Sequence, residues 1–208
     1  MPDAVTLTTY VVIVLGFVFI PGPATLLTVA RASTSGTKVG IATGAGIAAG
    51  DLIHTVMAVV GLSAIIAASA FLFTLIKYFG AAYLFYIGVR AILDRSEKGP
   101  QGPVHAITAK RAFKQAVIAE LLNPKTALFF LAFLPQFVQP ANGAVALQLS
   151  VLGMLFVALG LLSTLVFAFA AGKIGSMLRA SATVRQWQGR VVGTIYCALG
   201  IRLALQER

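Results

Sequence analysis

Six long apolar runs constrain the fold of this chain more than any other feature of its sequence. They cover residues 6–30, 39–69, 71–93, 113–138, 144–172 and 191–205, the last being the shortest. A membrane-spanning helix needs about 20 mainly apolar residues. Only 11% of the residues are charged, whereas about a quarter are charged in a soluble domain. The sequence therefore predicts an all-α integral membrane protein with about six transmembrane helices.

The distribution of basic residues predicts how the chain sits in the membrane. The net charge of +10 would suggest nucleic acid as a partner, but the Lys and Arg residues lie between the apolar runs and form no basic face. If successive loops alternate sides, one side receives twelve of the 16 basic residues and the other three, with Lys125 inside a run. The positive-inside rule assigns the twelve to the cytoplasm. Both termini then face outside, provided that all six segments span.

A polar stretch over residues 94–112 divides the chain into two halves. With two Gly-Pro dipeptides, it predicts a cytoplasmic linker between a first three-helix repeat, residues 1–93, and a second, residues 113–208. The third helix of each half carries a similar pattern, Gly80-x-x-Tyr83 with Gly88-x-Arg90 and Gly193-x-x-Tyr196 with Gly200-x-Arg202. Because each half has an odd number of helices, the second enters from the opposite side, as in the inverted repeats of transporters. Chance recurrence of Gly and Tyr is the alternative.

Each half opens with a helix that is broken by proline, at Pro21-Gly22-Pro23 in the first helix and at Asn123-Pro124 in the fourth. Proline removes a backbone hydrogen bond and clashes with the preceding turn, and in hydrocarbon the freed groups must find other partners. At about 1.5 Å per residue, the breaks lie roughly 12–15 Å from Arg31 and roughly 14–17 Å from Lys114, near the bilayer midplane. Matched breaks at this depth predict a shared polar cavity, and two plain proline kinks are the alternative.

The two breaks supply the predicted substrate-binding residues. Asn123 suits a helix N-cap and Pro124 the first helical position, so a half-helix that starts there, with Lys125 beside it, would favour a carboxylate. In the first break, Pro23 can start a half-helix whose first turn carries Thr25, and Gly22 lets a ligand approach the backbone. The predicted set is Pro21, Gly22, Pro23, Thr25, Asn123, Pro124 and Lys125.

Ionisable residues inside a membrane are functional candidates by default, and three of them are predicted to couple transport to protons. They are Asp51 and His54, which share a face of the second helix, and Glu120 in the fourth. An acid removed from water is suited to carry a proton. Two alternatives remain: Glu120 and Lys125 form a structural ion pair, and His54 only hydrogen-bonds Asp51 or a carbonyl.

Glycines spaced four residues apart indicate close helix packing around the second helix. They form the sets Gly36, Gly40 and Gly44, and Gly46 and Gly50. Small residues at this spacing let membrane helices approach each other closely. The sequence leaves open whether the contacts lie within one chain or between two copies, as in a homodimer.

The sequence shows no chemistry of an enzyme. Cys197 is the only cysteine, which excludes an intramolecular disulfide and a dithiol electron carrier. No nucleophile and base motif is visible. We therefore predict a protein without enzymatic activity, cofactor or bound metal, and a membrane enzyme or accessory subunit is the less favoured alternative.

Two motifs resemble a known family. The stretch NPKTALFFLAFLPQFV at residues 123–138 and PGPATLL at residues 21–27 are similar to the lysine exporter and homoserine/threonine-resistance family, LysE/RhtB. The resemblance implies a six-helix exporter of amino acids or their derivatives in the bacterial inner membrane, driven by proton antiport. It places the family motifs on Pro21, Gly22 and Pro23, and on Asn123, Pro124 and Lys125. It does not choose among basic, neutral and lactone-type substrates.

The favoured mechanism is alternating access, in which two inverted halves rock around a midplane site. A zwitterion would place its carboxylate at Lys125 and its ammonium near Glu120, Asp51 or the backbone around Gly22. The alternative is a divalent metal or other ion exporter, since distant relatives of the family are thought to move divalent cations. Asp51, His54 and Glu120 could supply ligands, but there is no Cys or His cluster, and Lys125 would repel a cation.

Overall fold

The computed structural model describes residues 1–62, 70–93, 106–180 and, beyond these, residues 190, 194, 197, 198, 200, 201, 204 and 205. Within this part of the chain the structure is helical and has no strands. The α-helices are α1 (Ala4–Phe19), α2 (Pro23–Ser35), α3 (Thr37–Met57), α4 (Ala70–Leu93), α5 (Ala109–Leu121), α6 (Pro124–Leu128) and α7 (Val145–Ala180). A π-helical turn, Ala58–Leu62, extends α3, and another, Phe129–Phe133, extends α6 into the 3₁₀ turn Leu134–Phe137. A further 3₁₀ turn, Pro140–Asn142, precedes α7.

The described helices provide two to four candidate membrane spans. Thr37–Gly61, with 25 residues, and Val145–Ala171, with 27, are continuous. Two further spans are bent pairs: Ala4–Phe19 with Pro23–Ser35, at 50°, and Ala109–Leu121 with Pro124–Phe137, at 46°. The predicted all-α membrane fold and the breaks at both proline motifs are thus confirmed, whereas the number of six transmembrane helices stays a prediction. The inverted repeat stays a prediction, because most of residues 191–205 lie outside the described residues.

Local sequence explains where both bent helices break. In the first, Pro21 and Pro23 have no N–H to continue the ladder of α1, and Gly22 stands at the N-cap of α2 with Pro23 as its first residue. In the second, α5 ends at Leu121, and the side chain of Asn123 caps α6 by accepting the Lys125 N–H at 3.1 Å. Each break therefore follows from the chemistry of three or four adjacent residues.

The glycines of α3 bring it into close contact with three other helices of the same chain. A Cβ on Gly40 would lie 2.5 Å from Ala32 Cβ on α2, and one on Gly44 would lie 2.7 Å from Thr164 Oγ1 on α7. On another face, a Cβ on Gly46 would overlap the Phe113 carbonyl of α5. These glycines therefore serve packing within one chain. Gly36 is not in the helix; it forms the turn between α2 and α3, with φ of 90°.

Aromatic side chains fill the core next to the breaks, while large apolar side chains point outward. Tyr10, Phe17, Phe129 and Phe156 are buried together. On the outer surface Phe169 is 70% exposed, as expected where lipid replaces water around a helix. The breaks thus lie between an apolar core and the small-residue contacts of α3.

Candidate functional site

A cavity of about 40 Å³ lies between the two helix breaks. Since one water molecule needs about 10–15 Å³, the cavity can hold a few water molecules or a small polar group. Polar and small residues from both breaks and from α3, α5 and α7 line it. They are Gly22, Pro23, Thr25, Asp51, Glu120, Asn123, Lys125, Thr126, Gly160, Ser163 and Thr164. Apolar side chains complete it, including Phe17, Ile47 and Phe156.

The structure brings together most of the residues singled out by sequence. Five of the seven predicted binding residues line the cavity, and so do the acids Asp51 and Glu120. Pro21 and Pro124 are not part of the lining, and Pro124 is exposed. His54 is also outside the lining: it is buried, its Nε2 lies 3.1 Å from the Glu120 backbone oxygen, and its ring stacks on Phe130. His54 therefore contacts the Glu120 backbone and Phe130 rather than the cavity itself.

Lys125 belongs to the second break, but its ammonium group binds the first. Its Nζ donates to the backbone oxygen of Phe17 at 3.0 Å and to that of Ile20 at 3.4 Å, and it lies 4.2 Å from the centre of the Phe17 ring. In an unbroken helix, residue 21 would donate to the Phe17 oxygen, but Pro21 has no N–H. A cation at the C-terminal end of α1 also complements the helix dipole. Lys125 thus replaces a hydrogen bond that proline removes.

The hydroxyl group of Ser163 takes up a second oxygen of the first break. Ser163 Oγ donates to the Val18 backbone oxygen at 2.8 Å. The end of α1 is thus held by side chains from α6 and α7, which satisfies backbone acceptors that water would serve in a soluble protein. It also ties the first break to the second break and to the continuous span α7.

Glu120 is held by the residues that form the second break. Asn123 Nδ2 lies 3.1 Å from Glu120 Oε1 and 3.3 Å from Oε2, and the Thr126 hydroxyl donates to Oε1. Asn123 therefore has two functions, since its side-chain oxygen caps α6 while its amide group orients the carboxylate. Glu120 is 3% exposed, and these bonds fix its position at the cavity.

Asp51 lines the same cavity from α3, but its hydrogen bonds are less complete than those of Glu120. It is 2% exposed, and its Oδ1 has no hydrogen-bond partner among the described residues. Glu120 and Lys125 line the same cavity as Asp51. The cavity therefore contains two acids and one cation, and this set of side chains can bind both ends of a zwitterion.

A comparison with known families decides the class of the protein. The profile of LysE type translocators matches residues 15–207. This chain belongs to the LysE type translocator family. It is therefore a multi-pass membrane transporter and not an enzyme, which confirms the resemblance carried by the two proline motifs.

Relatives of this LysE type translocator include one with a named substrate. The uncharacterized membrane protein YrhP of Bacillus subtilis is 33% identical over 209 residues, which cover 96% of this chain and 99% of YrhP. A leucine efflux protein of Salmonella typhimurium is 33% identical over 131 residues, 62% of each chain. No solved structure matches the chain.

Several site residues of this LysE type translocator were not predicted from the sequence. Thr126, Gly160, Ser163 and Thr164 line the cavity. The signal for Ser163 and Thr164 was present, since they form a hydroxyl pair within a long apolar run. Gly160 carried no such signal, because its role depends on what lies opposite it in the fold.

The described residues offer no metal centre. No group of three His, Cys, Asp and Glu side chains in these ranges is placed to hold a metal ion. Of the proposed ligands of the metal-export alternative, His54 points its Nε2 at a backbone oxygen. Lys125 also shares the cavity with both acids. The geometry gives the metal-export alternative no support.

Proposed function

We propose that this LysE type translocator exports an amino acid or an amino-acid derivative across the bacterial inner membrane. The observation that carries the proposal is a small cavity, between two broken helices, that contains one cation and two carboxyl groups. These charges complement the carboxylate and the ammonium group of a zwitterion. The leucine efflux relative supports the same class of solute.

Lys125 is the proposed binding group for the solute carboxylate. Its ammonium group lines the cavity and is bonded to the neutral oxygens of Phe17 and Ile20. A carboxylate is a stronger acceptor for a cation than a backbone carbonyl is. The Asn123 side chain already accepts the Lys125 N–H, so the ammonium group, rather than the helix start, is the main attraction. Thr25 and Thr126 provide hydroxyl groups beside it.

Proton antiport is assigned to the acid pair Asp51 and Glu120. The two carboxyl groups belong to buried residues that line the cavity that would receive the solute. A proton arriving from outside and a solute arriving from the cytoplasm would then compete for the same acids. His54, bonded to the backbone of Glu120, would affect this exchange by positioning α5.

Alternating access would use the two breaks as hinges. The half-helices meet at 50° in the first broken span and at 46° in the second, and each break contacts the cavity. Rocking of one predicted half against the other would open the cavity first to the cytoplasm and then to the outside. With twelve basic residues on one side and three on the other, the proposed orientation has both termini outside.

Transport by purified protein tests this proposal. Proteoliposomes would be loaded with a mixture of the twenty amino acids, the outside made acidic, and the released solutes identified by mass spectrometry. We expect at least one amino acid to leave faster than from protein-free liposomes, and faster with the pH difference than without it. Release of no amino acid, together with movement of Mn²⁺ or Ca²⁺ in the same vesicles, would refute amino-acid export.

A further inference from the structure

The two acids of the cavity differ in how far their bonds are satisfied. Both oxygens of Glu120 lie within bonding distance of Asn123, and one also accepts from Thr126. These partners come from the break that Glu120 itself precedes, so they form before any solute arrives. The hydrogen bonds of Glu120 are therefore more complete than those of Asp51.

Asp51 is the acid of the cavity that has an unsatisfied carboxyl oxygen. Its Oδ1 has no partner within the described part of the chain although the residue is 2% exposed. Buried polar atoms in proteins are nearly always hydrogen-bonded, and leaving a carboxyl oxygen unpaired is costly. Because Asp51 lines the cavity, the missing donor can come from a molecule that occupies it.

Residue 160, which lies opposite Asp51, is a glycine and has no side chain. Gly160 of α7 lines the cavity, and a Cβ on it would lie 3.3 Å from Asp51 Oδ2. A side chain at residue 160 would therefore press on the carboxyl group from the α7 side. Glycine avoids this contact where α3 and α7 face each other.

We propose that Asp51 is the residue that binds the ammonium group of the exported solute, with Gly160 providing the room for it, and that Glu120 does not make this contact. This inference rests on the proposed function and assigns one contact within it. A primary ammonium group has three donors, so it can reach Oδ1 of Asp51 while the solute carboxylate binds Lys125. Both charges of an α-amino acid are then matched.

The cavity must widen to admit a whole amino acid, and the rest of its lining would then contact the side chain of the solute. Phe17, Ile47 and Phe156 form the apolar part of the cavity, and its charged lining residues are Asp51, Glu120 and Lys125. Asp51 and Lys125 meet the α-ammonium and α-carboxylate groups, and Glu120 is bonded to Asn123 and Thr126. No further charged residue of the described lining is then left to bind a charged side chain. The inferred class is a zwitterion with an apolar side chain, for which leucine is the probe.

Binding of two probes to the purified protein tests the assignment. The probes are leucine and 4-methylpentanoate, which has the same carboxylate and side chain but no amino group. One charge-assisted hydrogen bond corresponds to a factor of about 10 to 150 in affinity, so wild type should prefer leucine by that ratio. Asp51→Asn should reduce the preference to within about threefold, because only the ammonium contact is lost. Glu120→Gln should keep the preference.

Two further variants keep the test decisive if Asp51→Asn does not fold. Gly160→Ala places a methyl group beside Asp51 Oδ2 and should weaken leucine more than 4-methylpentanoate. Gly61→Ala is the matched control, since no described atom lies within 4 Å of a Cβ there, and it should leave both affinities unchanged.

The results separate this inference from the proposed function. A leucine preference that persists in Asp51→Asn, or that Glu120→Gln abolishes instead, would show that Asp51 is not the ammonium site. If wild type does not prefer leucine but still exports another amino acid, the inference fails and the proposed function stands. If no amino acid moves in the liposome experiment, the proposed function itself fails.

Discussion

The ammonium group of Lys125 connects two helix breaks that are far apart in sequence. A cation at the start of α6 opposes the dipole of that helix, but at the end of α1 it is favourable. Its bonds to the Phe17 and Ile20 oxygens place it there, and Gly22 allows the approach, since a Cβ on it would lie 3.3 Å from Nζ. A solute that draws Lys125 toward its carboxylate would therefore also loosen the first break.

Replacing Lys125 tests its role in carboxylate binding. Lys125→Met should weaken leucine binding by about 10- to 150-fold, because one charge-assisted hydrogen bond is lost, while leucinol, which lacks the carboxylate, should be affected much less. Lys125→Arg should keep part of the affinity. Loss of the hydrogen bonds from Lys125 to the first break should lower stability by about 1–3 kcal/mol, measured by thermal unfolding in detergent. Normal leucine binding with a much earlier melt would mean that Lys125 is only structural.

Neutralising the acid pair tests proton coupling. We expect Asp51→Asn or Glu120→Gln, or both, to abolish accumulation of solute driven by a pH difference, because a carboxamide cannot exchange a proton. The measurement is uptake into proteoliposomes with and without the pH difference, with counterflow of labelled solute as the control for an intact transport path. Should both variants still concentrate solute using the pH difference, another group carries the proton.

At the scale of the elements, α3 is the helix around which the cavity is built. One of its faces contacts α2 and α7 through Gly40 and Gly44, and another contacts α5 through Gly46 and Gly50. Asp51 follows directly after Gly50, so the same close approach that packs α3 on α5 brings Asp51 beside Glu120. Packing and site geometry on this helix therefore depend on each other.

A single methyl group on α3 should show how tight this packing is. Gly46→Ala would overlap the Phe113 backbone oxygen and bring a Cβ to 2.8 Å from Ala116 Cβ, and overpacking of this kind costs about 1–3 kcal/mol. Gly61→Ala serves as the control, with no described atom within 4 Å of the added group. Thermal unfolding in detergent should show a lower midpoint for Gly46→Ala only, and equal midpoints would contradict the packing described for α3 and α5.

The start of α1 is joined to the loop before α7 by a bond that depends on pH. Asp3 caps α1 by accepting the Thr6 N–H at 2.8 Å, and its other oxygen accepts from Gln139 Nε2 at 2.6 Å. The Gln139 amide and the Thr6 N–H hold the pKa of Asp3 below its ordinary value of 3.8. Because folding lowers the pKa of Asp3, its negative charge stabilises the fold above pH 3.8. This stabilisation is lost as the pH falls through the pKa of Asp3 in the folded state.

Comparing wild type with Asp3→Asn checks this dependence. Wild type should melt later than the variant at neutral pH, and the difference should shrink as pH falls below 3.8, where Asp3 becomes protonated. Thermal unfolding in detergent over a pH series provides the measurement. A difference that stays constant into this acid range would mean that the charge of Asp3 does not stabilise the fold.

At the scale of the whole molecule, two bent spans and two continuous spans enclose the cavity. The bent pairs Ala4–Phe19 with Pro23–Ser35 and Ala109–Leu121 with Pro124–Phe137 meet at their breaks, and Thr37–Gly61 and Val145–Ala171 close the sides. Irregular backbone is tolerated inside a membrane where protein or a polar cavity surrounds it. This arrangement is suited to a transporter whose halves move around a central site.

The orientation of the molecule can be tested with reporter fusions. A reporter at Arg208 should be outside, and one inserted within residues 99–104 should be in the cytoplasm, because the basic residues favour the cytoplasmic side. Pairs of phosphatase and fluorescent-protein fusions at each site report the two sides independently. Both sites on one side of the membrane would be incompatible with six spanning helices.

The sequence by itself determined the class of fold, the places where helices break and part of the set of residues that line the cavity. Run length indicates a spanning helix, the missing N–H of Pro21 and Pro23 ends α1, and Asn123-Pro124 starts α6. These effects act over a few neighbouring residues, so they can be read without knowing the fold. The depth of the two breaks was also enough to predict that they share a cavity.

Only the tertiary structure decided which groups satisfy one another. Lys125 binds Phe17, 108 residues away, and Ser163 binds Val18, 145 residues away, and no local pattern specifies such pairs. The donors to Glu120 come from the adjacent break. Asp51 lies on a different helix, and its Oδ1 has no partner among the described residues. The physical reason is that hydrogen bonding inside a membrane depends on which side chains packing brings within about 3 Å, and packing is settled by contacts between helices.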